Sequence, residues 1–517
     1  MFAQATDGLI RNRTLHDEAD FYETWNLRAR VGADVGAAHR LDLKLEAHAE
    51  DGGAAWASSG NVTGLTGGEL SEEVLEDPIG DYRGRSRRHW TRAAARLLPR
   101  DEAAGGLSLL LAWDRYAKRW EEELDYRPGP VDIGGFPFLS GLQPIRQPID
   151  IEAVTAEARW ASPTAARVRW IAGAFVQSVE RDRVDDFGPL LFGAPAPRYD
   201  VDSVQAAAFG QAETDLGPAR VSLALRYDGD DRRQLITSTA GGAVLADDSA
   251  VFDAWQPKAT VSLTPAPGAL LWATYAEGFR TGGFNPTPGP ASPWKPRFDP
   301  ETVRTLELGG KRTAAGLYLE AAAYAGKISD YQSYTFLENQ SVTLNVGEVA
   351  VAGLEAAFEA RRGAWRLSGS GALTEAEIED YVAPDPLIPG AARDYSGLTP
   401  VNIPEWQWTL GLERRQPLGA GELRARADLN GVGRVNYTLD NVLYAPPHVT
   451  LDGRLEADFG RWSAAAFIRN AADERWAVSA FGQTMLTLLT ELGPGGPFDT
   501  YTINRGREWG LSLEARF

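Results

Sequence analysis

The chain has 517 residues, a formal net charge of -19, no cysteine and 44% hydrophobic residues, with a mean hydropathy of -0.29. That hydropathy, and the lack of any apolar run of roughly eighteen residues, excludes a bundle of membrane helices. The acidic balance argues against nucleic acid as a partner, because phosphate recognition needs a basic surface, and the missing cysteines exclude disulfides and thiolate metal sites.

The opening residues Met1-Phe2-Ala3-Gln4 lead at once into polar sequence, without the apolar core of a secretory leader. Taken alone this reads as cytoplasmic and soluble; the organisation that follows reads instead as a chain entered in mid-protein. Composition is even from end to end, with no tether or charge block, so one large repetitive architecture fits better than several domains.

A first strand is expected near 2–11. Beyond it, strict alternation of apolar and polar residues marks β-strands with two unlike faces. It is clearest in 41–48 (Leu41, Leu43, Leu45 and Ala47 against Asp42, Lys44, Glu46 and His48), in 220–228, in 423–430 and in 508–517. Short Gly/Pro/Asp turns are expected near 35–39, 99–105, 162–166, 215–219, 265–268, 313–316, 361–364, 416–421 and 459–461. Long irregular segments are expected near 51–86, 121–148, 181–200, 229–251, 282–301, 329–349, 377–403, 434–446 and 474–502. Short and long connections alternate without a break, as in an all-β antiparallel transmembrane barrel with tight periplasmic turns and large extracellular loops.

The turns imply about twenty strands of roughly 10–14 residues, long enough to cross an apolar layer at a tilt. Chain direction puts both termini at the periplasmic side and leaves room for one hairpin upstream, making about twenty-two strands as in plugged transporters. Trp255, Trp272, Trp365, Trp462 and Trp509 fall near expected strand ends and are read as an interfacial girdle.

Other chemistry is sparse. His16, His39, His48, His89 and His448 are scattered, and neither a metallohydrolase, a phosphate-loop nor a nucleophile-elbow motif occurs. The pairs Asp185-Asp186 and Asp247-Asp248 read as solvated loop charge. Loop aromatics are the better candidates for ligand capture, since a rigid ring offers contact area at low entropic cost. These are Phe136, Phe138, Trp294, Tyr331, Tyr334, Phe336 and Tyr395. Tyr331, Tyr334 and Phe336 also fit one face of an extended strand.

Several segments resemble motifs of the TonB-dependent receptors. Gly278-Phe279-Arg280-Thr281-Gly282-Gly283-Phe284-Asn285 is similar to the family's GFR-x-GGFN stretch. Pro300-Glu301 with Glu307-Leu308-Gly309-Gly310-Lys311, Asn345-Val346-Gly347-Glu348 with Gly353-Leu354-Glu355, and Asn470-Ala471-Ala472-Asp473 follow in the family's order. Ala208 to Glu213 and Asp7 to Asn12 fit further family strands, and the chain closes on an alternating strand ending at Phe517.

The resemblance implies a barrel spanning 1–517, N-terminally incomplete, without signal peptide, TonB box, plug domain or first hairpin. Glycines 282, 283, 309 and 353 would allow bends and close strand approach, while Glu307, Lys311 and Glu355 would face a wet lumen. The same resemblance implies a multi-pass outer-membrane receptor, not an enzyme, importing a ferric siderophore or similar nutrient. The expected partners are that nutrient, the TonB complex, outer-membrane lipid and the barrel assembly machinery, which would read the strand ending at Phe517. Iron would arrive already chelated, so no cofactor or protein metal ligand is implied. A plugless passive channel and a soluble all-β binding protein or enzyme are the alternatives; a propeller should show a blade repeat, and none is visible.

Overall fold

The computed structural model describes residues 2–516 except 55–56, 61–77, 123–130, 134–135, 140–143, 187–194, 287–293, 338–339, 385–391 and 483–498. Phe517 therefore lies outside the described residues. Among the described residues, twenty strands form one sheet. They are β1 (Phe2–Thr6), β2 (Tyr22–Val35), β3 (His39–Gly52), β4 (Arg85–Pro99), β5 (Gly106–Glu122), β6 (Ile145–Ala161), β7 (Val168–Val184), β8 (Pro197–Leu216), β9 (Ala219–Ser238) and β10 (Val244–Leu263). The second half comprises β11 (Ala269–Arg280), β12 (Glu301–Ala314), β13 (Leu317–Leu337), β14 (Gln340–Arg362), β15 (Trp365–Asp380), β16 (Trp406–Leu418), β17 (Gly421–Val432), β18 (His448–Asp458), β19 (Trp462–Arg469) and β20 (Glu508–Ala515). Each pairs antiparallel with the next in chain order.

All nine short turns lie at one end of the sheet, where the sequence places them. Gly217 and Gly363, each opening a two-residue turn, adopt φ of 65° and 59°, a left-handed conformation that glycine enters without steric cost. Two of the long segments are corrected. Residues 229–251 and 329–349 are not irregular: β9 and β10 pair through Thr237↔Val244, and β13 and β14 pair through Leu337↔Gln340. Strand length is accordingly not limited to 10–14 residues; β14 has 23. The backbone ladder continues beyond the apolar layer because pairing does not require apolar side chains.

The two faces of the sheet are unlike. One presents large apolar side chains to the surroundings, among them Leu43, Leu225, Leu308, Leu354 and Leu412, each more than 40% exposed. So large an apolar surface is untenable in water and suits a lipid environment. Farther toward the long loops the same face turns charged, with Arg115, Glu152, Asp182, Asp253, Glu277 and Arg304 at equivalent positions. The strands thus outlast the lipid on that side.

Trp255, Trp365, Trp462 and Trp509 are exposed on the apolar face. Trp272 is a correction: it lies on the opposite, polar face, where its indole N–H donates to Glu307 at 2.6 Å. A hydrogen-bonding partner across the strand pair outweighed any interfacial preference. Its ring covers Gly309, its register partner, where a Cβ would meet the indole at 2.2 Å. The same ring-over-glycine pairing recurs at Tyr324/Gly353, Phe358/Gly369, Trp408/Gly431 and Phe467/Gly510. These glycines make room for a neighbour's aromatic ring and so pin the register.

No ladder joins β1 to β20 among the described residues. The ends of the sheet meet instead at its loop side. The Ala57–Gly60 strand, between β3 and β4, pairs with Asp499–Ile503, just before β20. Arg505 Nε lies 2.9 Å from Asp20 Oδ2. The Asp20 carboxylate also accepts from the Leu9 and Ile10 amides at 2.7 and 2.8 Å.

Candidate functional site at the outer mouth

The polar face is a wall of ion pairs. Buried Asp42 holds Arg30 and Arg40 at 2.7 and 3.0 Å. Buried Asp228 is met by Arg226 and Gln256, both at 2.6 Å. Buried Glu413 pairs with Arg415 at 2.6 Å. Glu307, Lys311 and Glu355 also lie on this face: Glu307 anchors Trp272, Lys311 is the register partner of Glu320, and Glu355 faces Ala322 and Ala372. Short pairs of this kind, most of them between residues two apart on one strand, hold the wall's charges in place and leave it hydrophilic.

One stretch of the wall differs. On β4, β5 and β7, above the level where the opposite face turns charged, the register aligns Arg88 with Lys118 and, across Ile149, with Arg183. One row inward it aligns Trp90, Tyr116, Ile151 and Arg181. The Lys118 ammonium sits 5.3 Å from the Trp120 ring centroid, and the Arg183 guanidinium 4.7 Å from that of Tyr199. Arg88 and Arg183 have carboxylate partners, Glu50 and Asp185. Lys118 and Arg181 have none within ion-pair distance among the described residues. Cations beside aromatic rings suit a large anionic or planar ligand. Sequence reading missed this set because its members come from separate strands. The available signal was alternation in 85–122, which places Arg88, Trp90, Tyr116, Lys118 and Trp120 on one face.

The GFR-x-GGFN residues form a structural knot at the outer ends of β11 to β14. Gly278, Phe279 and Arg280 end β11, and Arg280 donates to the Gln332 side chain at 2.8 Å and to its carbonyl at 2.7 Å. Gln332 in turn donates its amide N–H to Glu301 at 2.6 Å and its side chain to the Thr281 and Asp299 carbonyls. Asn285, 3% exposed, clamps Thr343 from both sides: it accepts from the Thr343 N–H at 2.8 Å and donates to the Thr343 carbonyl at 2.9 Å. A Cβ at Gly282 would strike the Phe298 carbonyl at 2.5 Å and one at Gly283 the Phe298 ring at 2.6 Å, so the chain closes here only with glycine. The Phe284 ring stands 6.4 Å from Phe252.

Asn470 caps its own turn, at φ 47°: its side chain accepts from the Glu474 N–H at 2.9 Å and donates to the Glu474 carbonyl at 2.8 Å. Both motifs fix outer loops on the sheet.

The proposed loop aromatics do not share one surface. Tyr395 is buried against Val346, Val349 and Ile378, with Tyr331 packed on the same cluster. Trp294 is 4% exposed and donates to the Pro286 carbonyl at 3.1 Å. Tyr334 is 66% exposed. Phe136 and Phe138 lie on the short strand Phe136–Leu139 and Phe336 on β13; their side chains are outside the described residues. Asp185 pairs with Arg183 at 2.8 Å, and Asp247 with Arg233 at 2.8 Å. Among the described residues no group of three or more His, Asp or Glu could hold a metal ion.

The outer loops brace one another. Arg393 pairs with Asp440 at 3.2 Å, and Asn441 bonds both the N–H and carbonyl of Thr399. The Tyr437 hydroxyl donates to the Ala477 carbonyl at 2.6 Å, and burial pushes its pKa up to about 12. Burial likewise lifts Tyr381, beside Tyr395, to about 12.

The fold has close counterparts. The ferric yersiniabactin uptake receptor FyuA from Yersinia pestis superposes with a TM-score of 0.76 at 16% identity, over 100% of this chain and 74% of that one. The siderophore receptor PiuA from Acinetobacter baumannii gives 0.72 at 14% identity, over 97% and 75%. The copper transporter OprC gives 0.72 at 12% identity, over 100% and 77%. A family model for the TonB-dependent receptor-like β-barrel matches residues 7–471. Proteins of this family are outer-membrane transporters and receptors, not enzymes. With its twenty-stranded meander, its polar wall and the match over most of its length, this chain belongs to the TonB-dependent receptors and acts as an outer-membrane receptor in nutrient uptake.

Proposed function

We propose that the nutrient is a ferric siderophore, an anionic iron chelate, captured at the outer mouth and passed inward at the expense of energy delivered through TonB. The observation that carries this reading is the pair of cations, Lys118 and Arg181, that have no carboxylate partner among the described residues and lie beside Trp90, Tyr116 and Trp120 on the polar face. In a wall where most cations are neutralised in place, these two are available to a ligand's negative charge. Tyr334, 66% exposed at the outer end of β13, is a loop aromatic open to stacking on a ligand. In this reading the strands cross the outer membrane as a multi-pass barrel, lipid covers the apolar face, and the strand ending at Phe517 is the address read by the barrel assembly machinery.

Quenching of tryptophan fluorescence by ferric chelates of graded charge tests the assignment. Anionic ferric chelates should quench saturably, and Lys118→Gln with Arg181→Gln should weaken them about tenfold or more while leaving a neutral chelate unaffected. Equal binding by the double variant would refute it.

A further inference from the structure

The inner half of the apolar face on β12 to β17 carries three arginines, Arg312, Arg362 and Arg414, all exposed, and no acidic residue. Arginines at the same height on the polar face are neutralised within the sheet: Arg361 and Arg366 by Glu359, Arg415 by Glu413, Arg424 by Glu422. None of the three on the apolar face has a carboxylate partner among the described residues. Arg362 and Arg414 flank Trp365 in one register row, with the Arg414 guanidinium 5.2 Å from the indole centroid.

Two residues from Arg312, and six residues (about 20 Å) toward the long loops from Arg362 and Arg414, the face is hollowed. Gly310, Ala321, Ala356 and Gly371 are register partners on four successive strands and form the floor of a trough closed by Trp408. Four strands span about 14 Å at the usual strand spacing. Two overlapping hollows of about 900 Å³ each occupy this region, and Arg312 lines the one nearer the short turns.

We infer that this surface binds one glycerophospholipid of the inner leaflet, an acyl chain lying in the Gly310–Gly371 trough and the phosphate held by Arg362 and Arg414. Charge complementarity selects the occupant. Cations that face outward from the sheet, at the level where its apolar surface ends, meet the headgroup layer, and the counter-charge there is a lipid phosphate. The trough accounts for the rest of the molecule, since a chain lying on Gly and Ala reaches the sheet more closely than one lying on Leu. Trp365, with an apolar body and one polar edge, sits at the boundary where such rings are favoured. The inference does not depend on which nutrient is carried.

The test is native mass spectrometry of the folded chain in dodecyl maltoside, titrated with phosphatidylglycerol. A single bound lipid should survive detergent removal. Each arginine near an anionic lipid surface contributes about fivefold in affinity, so Arg362→Gln with Arg414→Gln should weaken retention by about 30-fold. Gly371→Leu should also weaken it with every arginine intact, because it fills the trough; a Cβ there meets only ordinary contacts at 3.4 Å, so the fold tolerates it. Arg96→Gln, on the polar face of β4, should change nothing. Gel mobility before and after heating confirms that each variant is folded. Undiminished retention by the double arginine variant, undiminished retention by Gly371→Leu, equal loss in Arg96→Gln, or displacement of the lipid by inorganic phosphate would each overturn the inference.

Discussion

Replacing Arg505 by glutamine tests how the two ends of the sheet are held together. Asp20 has a side chain with 0% exposure, and among the described residues its counter-charge within ion-pair distance is Arg505, 2.9 Å away and 35% exposed. Stripping a buried carboxylate of its partner costs about 3–5 kcal/mol in a dry interior. Two features reduce that figure here. The Leu9 and Ile10 amides still donate to the carboxylate, and the partly exposed guanidinium is already screened by solvent. A loss of about 2 kcal/mol is therefore expected for Arg505→Gln. Asp20→Asn should cost less, because the amide oxygen can still accept from both N–H groups. The double variant should cost less than the sum of the two, with a coupling of about 1–2 kcal/mol. Urea titration of the chain folded into lipid vesicles, followed by tryptophan fluorescence, measures all four corners of the cycle. Additive losses, or a stable Arg505→Gln, would refute the claim that this contact latches the sheet's ends.

Three further outcomes are expected. Leu308→Arg, at mid-height on the apolar face, should cost about 2–4 kcal/mol in the same titration, whereas Thr305→Arg on the polar face should cost little; equal costs would mean the faces are assigned the wrong way round. Gly309→Leu must displace the Trp272 ring and break its bond to Glu307, so a loss of about 1–3 kcal/mol and a red-shifted tryptophan emission should appear together. Asn285→Ala releases both polar groups of Thr343, and proteolysis of the segment between β11 and β12 should accelerate several-fold while the urea midpoint of the sheet moves little.

Much of this architecture is local and can be read from the residues. Period-two alternation in 41–48 and 423–430 follows from the pleat, and every one of the nine short turns is announced by Gly, Pro or Asp where the chain must reverse. The motif glycines, the Asn470 turn and the ordering of short and long connections are local in the same sense.

What escaped local reading depends on which strand lies beside which. The extents of β9–β10 and β13–β14 are set by ladder partners, so polar residues in 229–251 and 329–349 that resemble loop sequence stay in the sheet. Trp272 turned to the polar face because Glu307 and Gly309 stand opposite it on β12. The Lys118–Arg181 patch draws on β5 and β7, the arginine-rimmed trough on five successive strands, and the Asp20–Arg505 contact on opposite ends of the chain. The sequence by itself determined the strands, their two faces and the side on which they turn, because side-chain alternation and turn conformation are properties of neighbouring residues. Only the tertiary structure decided which charges are paired and which are left facing outward, because that depends on register between strands remote in sequence.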